Sequence, residues 1–450
     1  MGRRTTLGQT DRLKRIVANC LLLCFTLGVS LLCAELVLHY LKERAAGVRQ
    51  SGRWLFFEFD PLLGWRKTPG GQGWHETTEY RVLERINSKG LRGSECPYEK
   101  PKGEFRILAL GDSFCEGYSV AQRDHFTQRL QDKLNGRNDG RRYRVLNGGT
   151  RGYSTDQELL FFETEGYKYS PDLVILMFYN NDVWYNSTRV AYHKRKPMFR
   201  LDGDRLELVN VPLSERPLPQ PILKPVSRQR QRLTIRQWLN RNSIIYSFVR
   251  RELRSISWLE AAAIKIGLAH ERTKRYVPVP GPFRVWRKAP SPQVKQAWKI
   301  TEALLGRLND EVRALGAQLI VFYIPNMATV QQDTKRATKR KYGLSDEDWD
   351  LSKTGKDLQR VCEKQSIPFI NPIDAFCKEA SRLQKKGERL YYAIDHHWNA
   401  NGHGLAASLL FDHIVSSGML SGAQQNASIE REDATVAAVK LSAQGFGSSP

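Results

Sequence analysis

Short, largely apolar runs recur along this 450-residue chain, and each stops at a polar or glycine-rich turn. FRILAL at 105–110 ends at Gly111, and DLVILMFY occupies 172–179. Runs this brief, without the alternation of a half-exposed strand, are those of strands buried on both faces. Residues 143–147, 318–324 and 367–370 continue the series. Helical patterns over 121–135, 155–168, 292–316, 354–366 and 400–416 fall between them. Strands alternating with helices predict an α/β fold, with a central parallel sheet covered by helices on both faces.

Two regions depart from that rhythm. Residues 54–95 mix aromatic and β-branched residues with turn signals such as Pro69-Gly70-Gly71-Gln72-Gly73. They predict a small β-rich module. An insertion at about 188–290 begins with a hairpin over 197–212, turning at Asp202-Gly203-Asp204, and a proline-rich linker over 212–225. Residues 227–275 then read as helical and basic, with Arg228, Arg230, Arg232, Arg236, Arg241, Arg250, Arg251 and Arg254. Trp238, Leu239, Ile245 and Phe248 supply an apolar face. Two readings stay open: a surface for anionic lipid or polymer, or an amphipathic helix packed on the domain with a wet basic face. Residues 421–450 are small, polar and aperiodic, the composition of a disordered tail.

Residues 16–38, IVANCLLLCFTLGVSLLCAELVL, carry one ionisable group, Glu35. As a helix they span roughly 35 Å at 1.5 Å per residue, enough for a bilayer. The stretch is long for a cleaved signal peptide, and its exit lacks small residues, so an uncleaved transmembrane signal anchor is expected. Arg3, Arg4, Arg12, Lys14 and Arg15 precede it, against Lys42, Arg44 and Arg49 after it. That bias predicts a cytoplasmic 1–15 and an extracytoplasmic (periplasmic) body on a single-pass inner-membrane protein. The formal net charge is +23. A polyanionic partner or a solvated basic surface would account for it equally. No nucleic-acid motif accompanies the charge, and none is expected to bind outside the cytoplasm.

Of seven cysteines, Cys20, Cys24 and Cys33 fall in the apolar stretch. No pair among Cys96, Cys115, Cys362 and Cys377 has metal-site spacing, so neither a metal nor another cofactor is expected. Cys362 and Cys377 can pair in an oxidising compartment, or remain buried thiols.

Ser113 stands just past the carboxyl end of the first strand, the edge of an open α/β sheet where ligands sit. A serine there is a nucleophile or a helix cap. A nucleophile needs a base and an acid to orient that base. Asp395-His396-His397-Trp398-Asn399 precedes the last helix, and in an extended segment Asp395 and His397 share a face. An oxyanion needs donors. The second strand ends in Asn147-Gly148-Gly149 and the third in Tyr179-Asn180-Asn181-Asp182, both equally able to cap turns. Cys115 is expected to be a buried thiol, His125 and His403 packing residues.

GDSF at 111–114, VLNGGTRGYSTDQ at 145–157, NND at 180–182 and DHHWNANGH at 395–403 resemble, in order, the successive blocks of the SGNH (GDSL-like) hydrolase superfamily. The resemblance covers about 105–416, and residues from FDPLLGWRKTPG to INSKGLRG resemble the segment that precedes this domain in membrane-anchored bacterial members. It implies a flavodoxin-like three-layer sandwich. It also implies that Ser113 is the nucleophile and gives one oxyanion amide, Gly149 the second and the Asn181 side chain the third. His397 would be the general base, chosen over His396 because Trp398-Asn399 matches the family's H-W-N run, and Asp395 its orienting acid. Asn180 and Tyr179 stand where the family usually has a glycine, and the Asp-x-His spacing resembles the alginate-acetylation branch. The expected activity is hydrolysis of acyl, foremost acetyl, esters on an extracytoplasmic glycan through acyl-Ser113. The alternatives are O-acetyl transfer to a polysaccharide by the same triad, or glycan binding by a vestigial site.

Overall fold

The computed structural model describes residues 7–48, 56–215, 243–246 and 277–420. These fall into two units, Met1–Gln50 with Gln220–Tyr276, and Ser51–Pro219 with Val277–Pro450. In the first, helix α1 (Leu7–Val48) contains Lys14–Tyr40, long and apolar enough to cross a membrane. Its Glu35 carboxylate accepts hydrogen bonds from Ser243 Oγ at 3.0 Å, from the Ile245 amide at 3.1 Å and from the Ile244 amide. The rest of the basic stretch 227–275, most of the proline-rich linker and the tail 421–450 lie outside the described residues.

The second unit opens with two antiparallel hairpins, β1 (Phe57–Asp60) with β2 (Gly64–Lys67), and β3 (Gln72–Glu76) with β4 (Arg81–Arg85). The chain continues through β5 (Glu104–Gly111), α2 (Ser113–Glu116), α3 (Phe126–Asn135), β6 (Arg142–Asn147), α4 (Thr155–Thr164), β7 (Leu173–Phe178) and α5 (Asn180–Tyr185). Two small hairpins follow, β8 (Val190–Ala191) with β9 (Lys194–Arg195), and β10 (Phe199–Asp202) with β11 (Arg205–Leu208). The last part is α6 (Pro292–Ala314), β12 (Gln318–Tyr323), α7 (Met327–Val330), α8 (Gln332–Tyr342), α9 (Lys353–Lys364), β13 (Phe369–Ile370), α10 (Ile373–Gln384) and α11 (Ala400–Ser416).

The central sheet has the order β6-β5-β7-β12-β13 and every pair in it is parallel. Alternate residues of β5 serve opposite layers. Leu108 and Leu110 face a core with Leu159 of α4, Leu304 of α6 and Leu358 of α9. Ile107 and Ala109 face Leu130 of α3, Phe376 of α10 and Leu410 of α11. This is the expected three-layer, flavodoxin-like sandwich, with its topological switch point between β5 and β7.

Local chemistry sets the helix ends. Ser291 caps α6 by accepting from the Val294 amide at 3.3 Å, and Pro292 occupies the first turn, where no N–H is needed. The helix expected over 121–135 is split, because His125 is extended and caps α3 through Nδ1, which accepts from the Thr127 amide. Cys362 and Cys377 are both free. They belong to opposite core layers, which excludes the disulfide.

Candidate active site

Ser113 is the first residue of α2, directly after β5, and Asp112 caps that turn by accepting from the Phe114 amide at 2.9 Å. Asn181 lies in the first turn of α5, after β7. The two therefore flank the switch-point crevice, where parallel sheets hold their ligands. The loop before α11 brings in the remaining groups. His396 at φ +68° bends that loop, so that His397 and Asp395 meet.

Ser113 Oγ lies 2.8 Å from His397 Nε2, and His397 Nδ1 lies 2.5 Å from Asp395 Oδ1. With Nδ1 donating to the carboxylate, Nε2 is left to accept the serine proton. The imidazole is held between rings, with Phe114 at 4.6 Å and Tyr118 at 5.1 Å between centroids. Asp395 is in turn held by two phenols. Tyr80 donates to Oδ2 at 2.9 Å, and Tyr118 donates to Oδ1 at 3.2 Å. The Glu79 carboxylate accepts from the Ile394 and Asp395 amides, at 3.0 and 2.8 Å, and fixes the loop from the other side.

Tyr80 and Glu79 come from the turn between β3 and β4, and a buried ion network ties these hairpins to the sandwich. Arg151 donates to Glu116 at 2.6 Å and to Glu84 at 2.8 Å, and Glu84 also meets His75 at 2.6 Å. Lys67 donates to the Gly149 carbonyl at 2.5 Å, and Trp65 to the Arg151 carbonyl at 3.0 Å. The module thus supports both the acid and the loop after β6.

Ser113 and His397 open onto a cavity of about 650 Å³, walled by Phe114, Tyr118, Tyr179, Tyr185 and Tyr192. Asn181 and Gly152 also line it. Gly149 is not among the residues that line it. Its amide donates to Asn147 Oδ1 at 3.0 Å, and a β-carbon there would stand 2.5 Å from the Cys115 and Glu116 backbone. The glycine is needed for close packing beneath α2. Gly152, three residues on, reaches the cavity with φ +81°. Asn180 is turned away, donating to the Pro282 carbonyl at 3.1 Å.

Burial pushes the Asp112 carboxyl up to about 6, against the opposing pull of the Phe114 amide and of His397. Burial also drives the Cys115 thiol well above its ordinary range, so it is no competing nucleophile. His125 and His403 are buried with ring centroids 4.7 Å apart, and desolvation keeps both neutral. Tyr80, Glu79, Tyr118 and Tyr192 carried no signal in the sequence, whereas Gly152 stands inside the glycine-rich block at 145–157.

The chain is similar to several solved structures, among them these three. AlAXEase, an acetyl xylan esterase, has a TM-score of 0.36 at 10% identity, over 69% of this chain and 100% of its own. LAE5, an α/β hydrolase from the metagenome of Lake Arreo, Spain, has 0.35 at 14%, over 72% and 98%. Axe2, an acetylxylan esterase from Geobacillus stearothermophilus, has 0.35 at 14%, over 69% and 94%. No curated protein matches the chain. Residues 109–405, which include Ser113, Asn181, Asp395 and His397, match the GDSL-like Lipase/Acylhydrolase family. With well over half of its length in that match, the chain belongs to the GDSL-like lipase/acylhydrolase family and is an ester-hydrolysing enzyme.

Proposed function

We propose that the protein removes acyl groups, foremost acetyl, from an extracytoplasmic glycan, with Ser113 as nucleophile, His397 as general base and Asp395 as the acid that orients it. The observation that carries this reading is the unbroken relay from Ser113 Oγ to His397 to Asp395, at 2.8 and 2.5 Å. Ser113 Oγ attacks the ester carbonyl while its proton passes to Nε2. The carbonyl oxygen becomes an oxyanion, met by the Ser113 and Gly152 amides and the Asn181 side chain. As the sugar oxygen leaves it takes the proton from Nε2, and acyl-Ser113 remains. Water then repeats the sequence in reverse roles and releases the acid.

The glycan assignment is supported by the cavity, whose tyrosines offer flat faces and hydroxyls together. The extracytoplasmic assignment is supported by α1 and by the basic residues before it. A sugar hydroxyl replacing water in the second half would make the same site an O-acetyltransferase, and the open cavity has room for such an acceptor.

Full-length protein in detergent should react with a fluorophosphonate probe and hydrolyse an aryl acetate, and Ser113→Ala should do neither. An unlabelled wild type, or undiminished labelling of Ser113→Ala, rejects the assignment. Acetyl recovered on an added oligosaccharide, rather than as free acetate, selects the transferase.

A further inference from the structure

The β8–β9 hairpin is closed by a two-residue loop, Tyr192-His193, with φ +50° and +63°. Successive left-handed residues make a type I′ turn, which Asn-Gly ordinarily fills because a β-carbon is disfavoured there. This chain places an aromatic ring and an imidazole at the two positions. Nothing in the strand pairing needs them, and both side chains line the cavity that holds Ser113.

Tyr192 is fixed on three sides. Its hydroxyl accepts from Asn181 Nδ2 at 3.1 Å. Its ring lies so close over Gly152 that a β-carbon at 152 would stand 3.1 Å from it. Tyr185 packs beside it, with ring centroids 5.1 Å apart. The residue is nevertheless 44% exposed. A large, rigid aromatic face thus stands open beside the candidate oxyanion donors, at low entropic cost to any ligand that covers it. The charged side chains on the lining, Asp112 and Arg151, are buried, and Arg151 is engaged by Glu116 and Glu84. Among the described residues, the wall therefore holds no dedicated counter-ion for an acidic sugar.

We propose that this hairpin is a saccharide subsite, in which the Tyr192 ring stacks on the apolar face of an uncharged, acetylated sugar unit and His193 hydrogen-bonds at its edge. The proposal rests on the reading of the cavity as the acyl-transfer site. It adds the ligand class and the residue that selects it, and Tyr192 also positions Asn181.

The test uses full-length protein with 4-nitrophenyl acetate, an acetylated xylo-oligosaccharide and an acetylated oligouronate. Tyr192→Ala should lower kcat/KM by a few-fold on the aryl ester and by about ten-fold more on the neutral oligosaccharide, chiefly through KM. Tyr192→Phe keeps the platform and loses the bond to Asn181, so kcat should fall on both with KM retained. Equal losses on both substrates in Tyr192→Ala, or an oligouronate turned over as well as the neutral sugar, overturn the proposal. Inactivity of the wild type on the aryl ester would instead fail the acyl-transfer reading. The subsite then remains testable by calorimetry on Ser113→Ala: Tyr192→Ala should raise the Kd of the neutral oligosaccharide about ten-fold, and an unchanged Kd rejects it.

Discussion

Tyr80 Oη donates to Asp395 Oδ2 at 2.9 Å, across 315 residues of sequence. Hydrogen bonds to a charged partner are worth about 1.5–3 kcal/mol. Tyr80 therefore acts on the acid beside His397, and the small hairpins are part of the site. Tyr80→Phe should lower kcat/KM on an aryl acetate about ten-fold and leave the melting temperature within a few degrees. Asp395→Asn, which disturbs the imidazole tautomer itself, should cost roughly 10⁴-fold. Equal activity of Tyr80→Phe and wild type would show that Tyr118 alone suffices to hold the carboxylate.

The two glycines after β6 should respond differently to alanine. At Gly149 the added carbon meets backbone at 2.5 Å, so Gly149→Ala should unfold or strongly destabilise the protein. At Gly152 it meets the Tyr192 and Trp65 rings at 3.1 to 3.3 Å in a left-handed backbone. Gly152→Ala should fold, with about 1–2 kcal/mol less stability, and lose about 10²-fold in kcat as the amide shifts. Thermal melts and single-turnover kinetics separate the two. Full activity in folded Gly152→Ala would remove that amide from the oxyanion site.

Arg151 is the hub between hairpins and sandwich. Its removal leaves Glu84 and Glu116 buried with less positive charge around them, and breaking such a pair costs about 3–5 kcal/mol. Arg151→Met should show that loss in a denaturant titration. Arg151→Met/Glu84→Gln should recover part of it, because one uncompensated charge is gone. Additive losses would mean that the two residues do not share a network.

The sheet was legible because buried parallel strands leave continuous apolar runs, and 172–179 needs no partner to be read. Helix α8 was not. QDTKRATKRKY buries no side chain, so it has no apolar stripe to betray its period. Ser113, Asn181, Asp395 and His397 were legible through ordered blocks, and the structure brings Ser113, Asn181 and His397 to one cavity with Asp395 bonded to His397 behind it. The resemblance points to Gly149 as an oxyanion donor, whereas Gly152, three residues on, is the glycine that lines the cavity. Gly149 and Gly152 look alike in sequence, and only packing under α2 separates a glycine needed for contact from one facing the cavity. Tyr80, Glu79 and Tyr192 act through contacts made by the fold, and no local pattern marks such residues.

Behind Asp112 lie two more buried carboxyls, Glu158 and Asp182. Neither oxygen of Glu158 has a hydrogen-bond partner among the described residues, nor has Asp182 Oδ1. Burial first, and neighbouring carboxylates second, push both well above the ordinary carboxylate range. Burial likewise brings Asp112 to about 6. A carboxyl raised in this way keeps its proton in the native state at a pH where the unfolded chain has released it. The native state then binds more protons, and stability falls as pH rises through that window. For Asp112 the window runs from about 4, the unfolded value, to about 6, and the loss is on the order of 3 kcal/mol once complete. His125 and His403, held neutral by burial, pull the wild-type curve the other way below about 6.5, so the informative quantity is a difference. Asp112→Asn preserves an acceptor for the Phe114 amide and removes the titration. Relative to wild type its unfolding free energy should gain on the order of 3 kcal/mol between pH 4 and pH 7. Denaturant titrations at several pH values measure this directly. A difference that does not change with pH would mean that Asp112 is ionised throughout, held by a partner stronger than the Phe114 amide and His397.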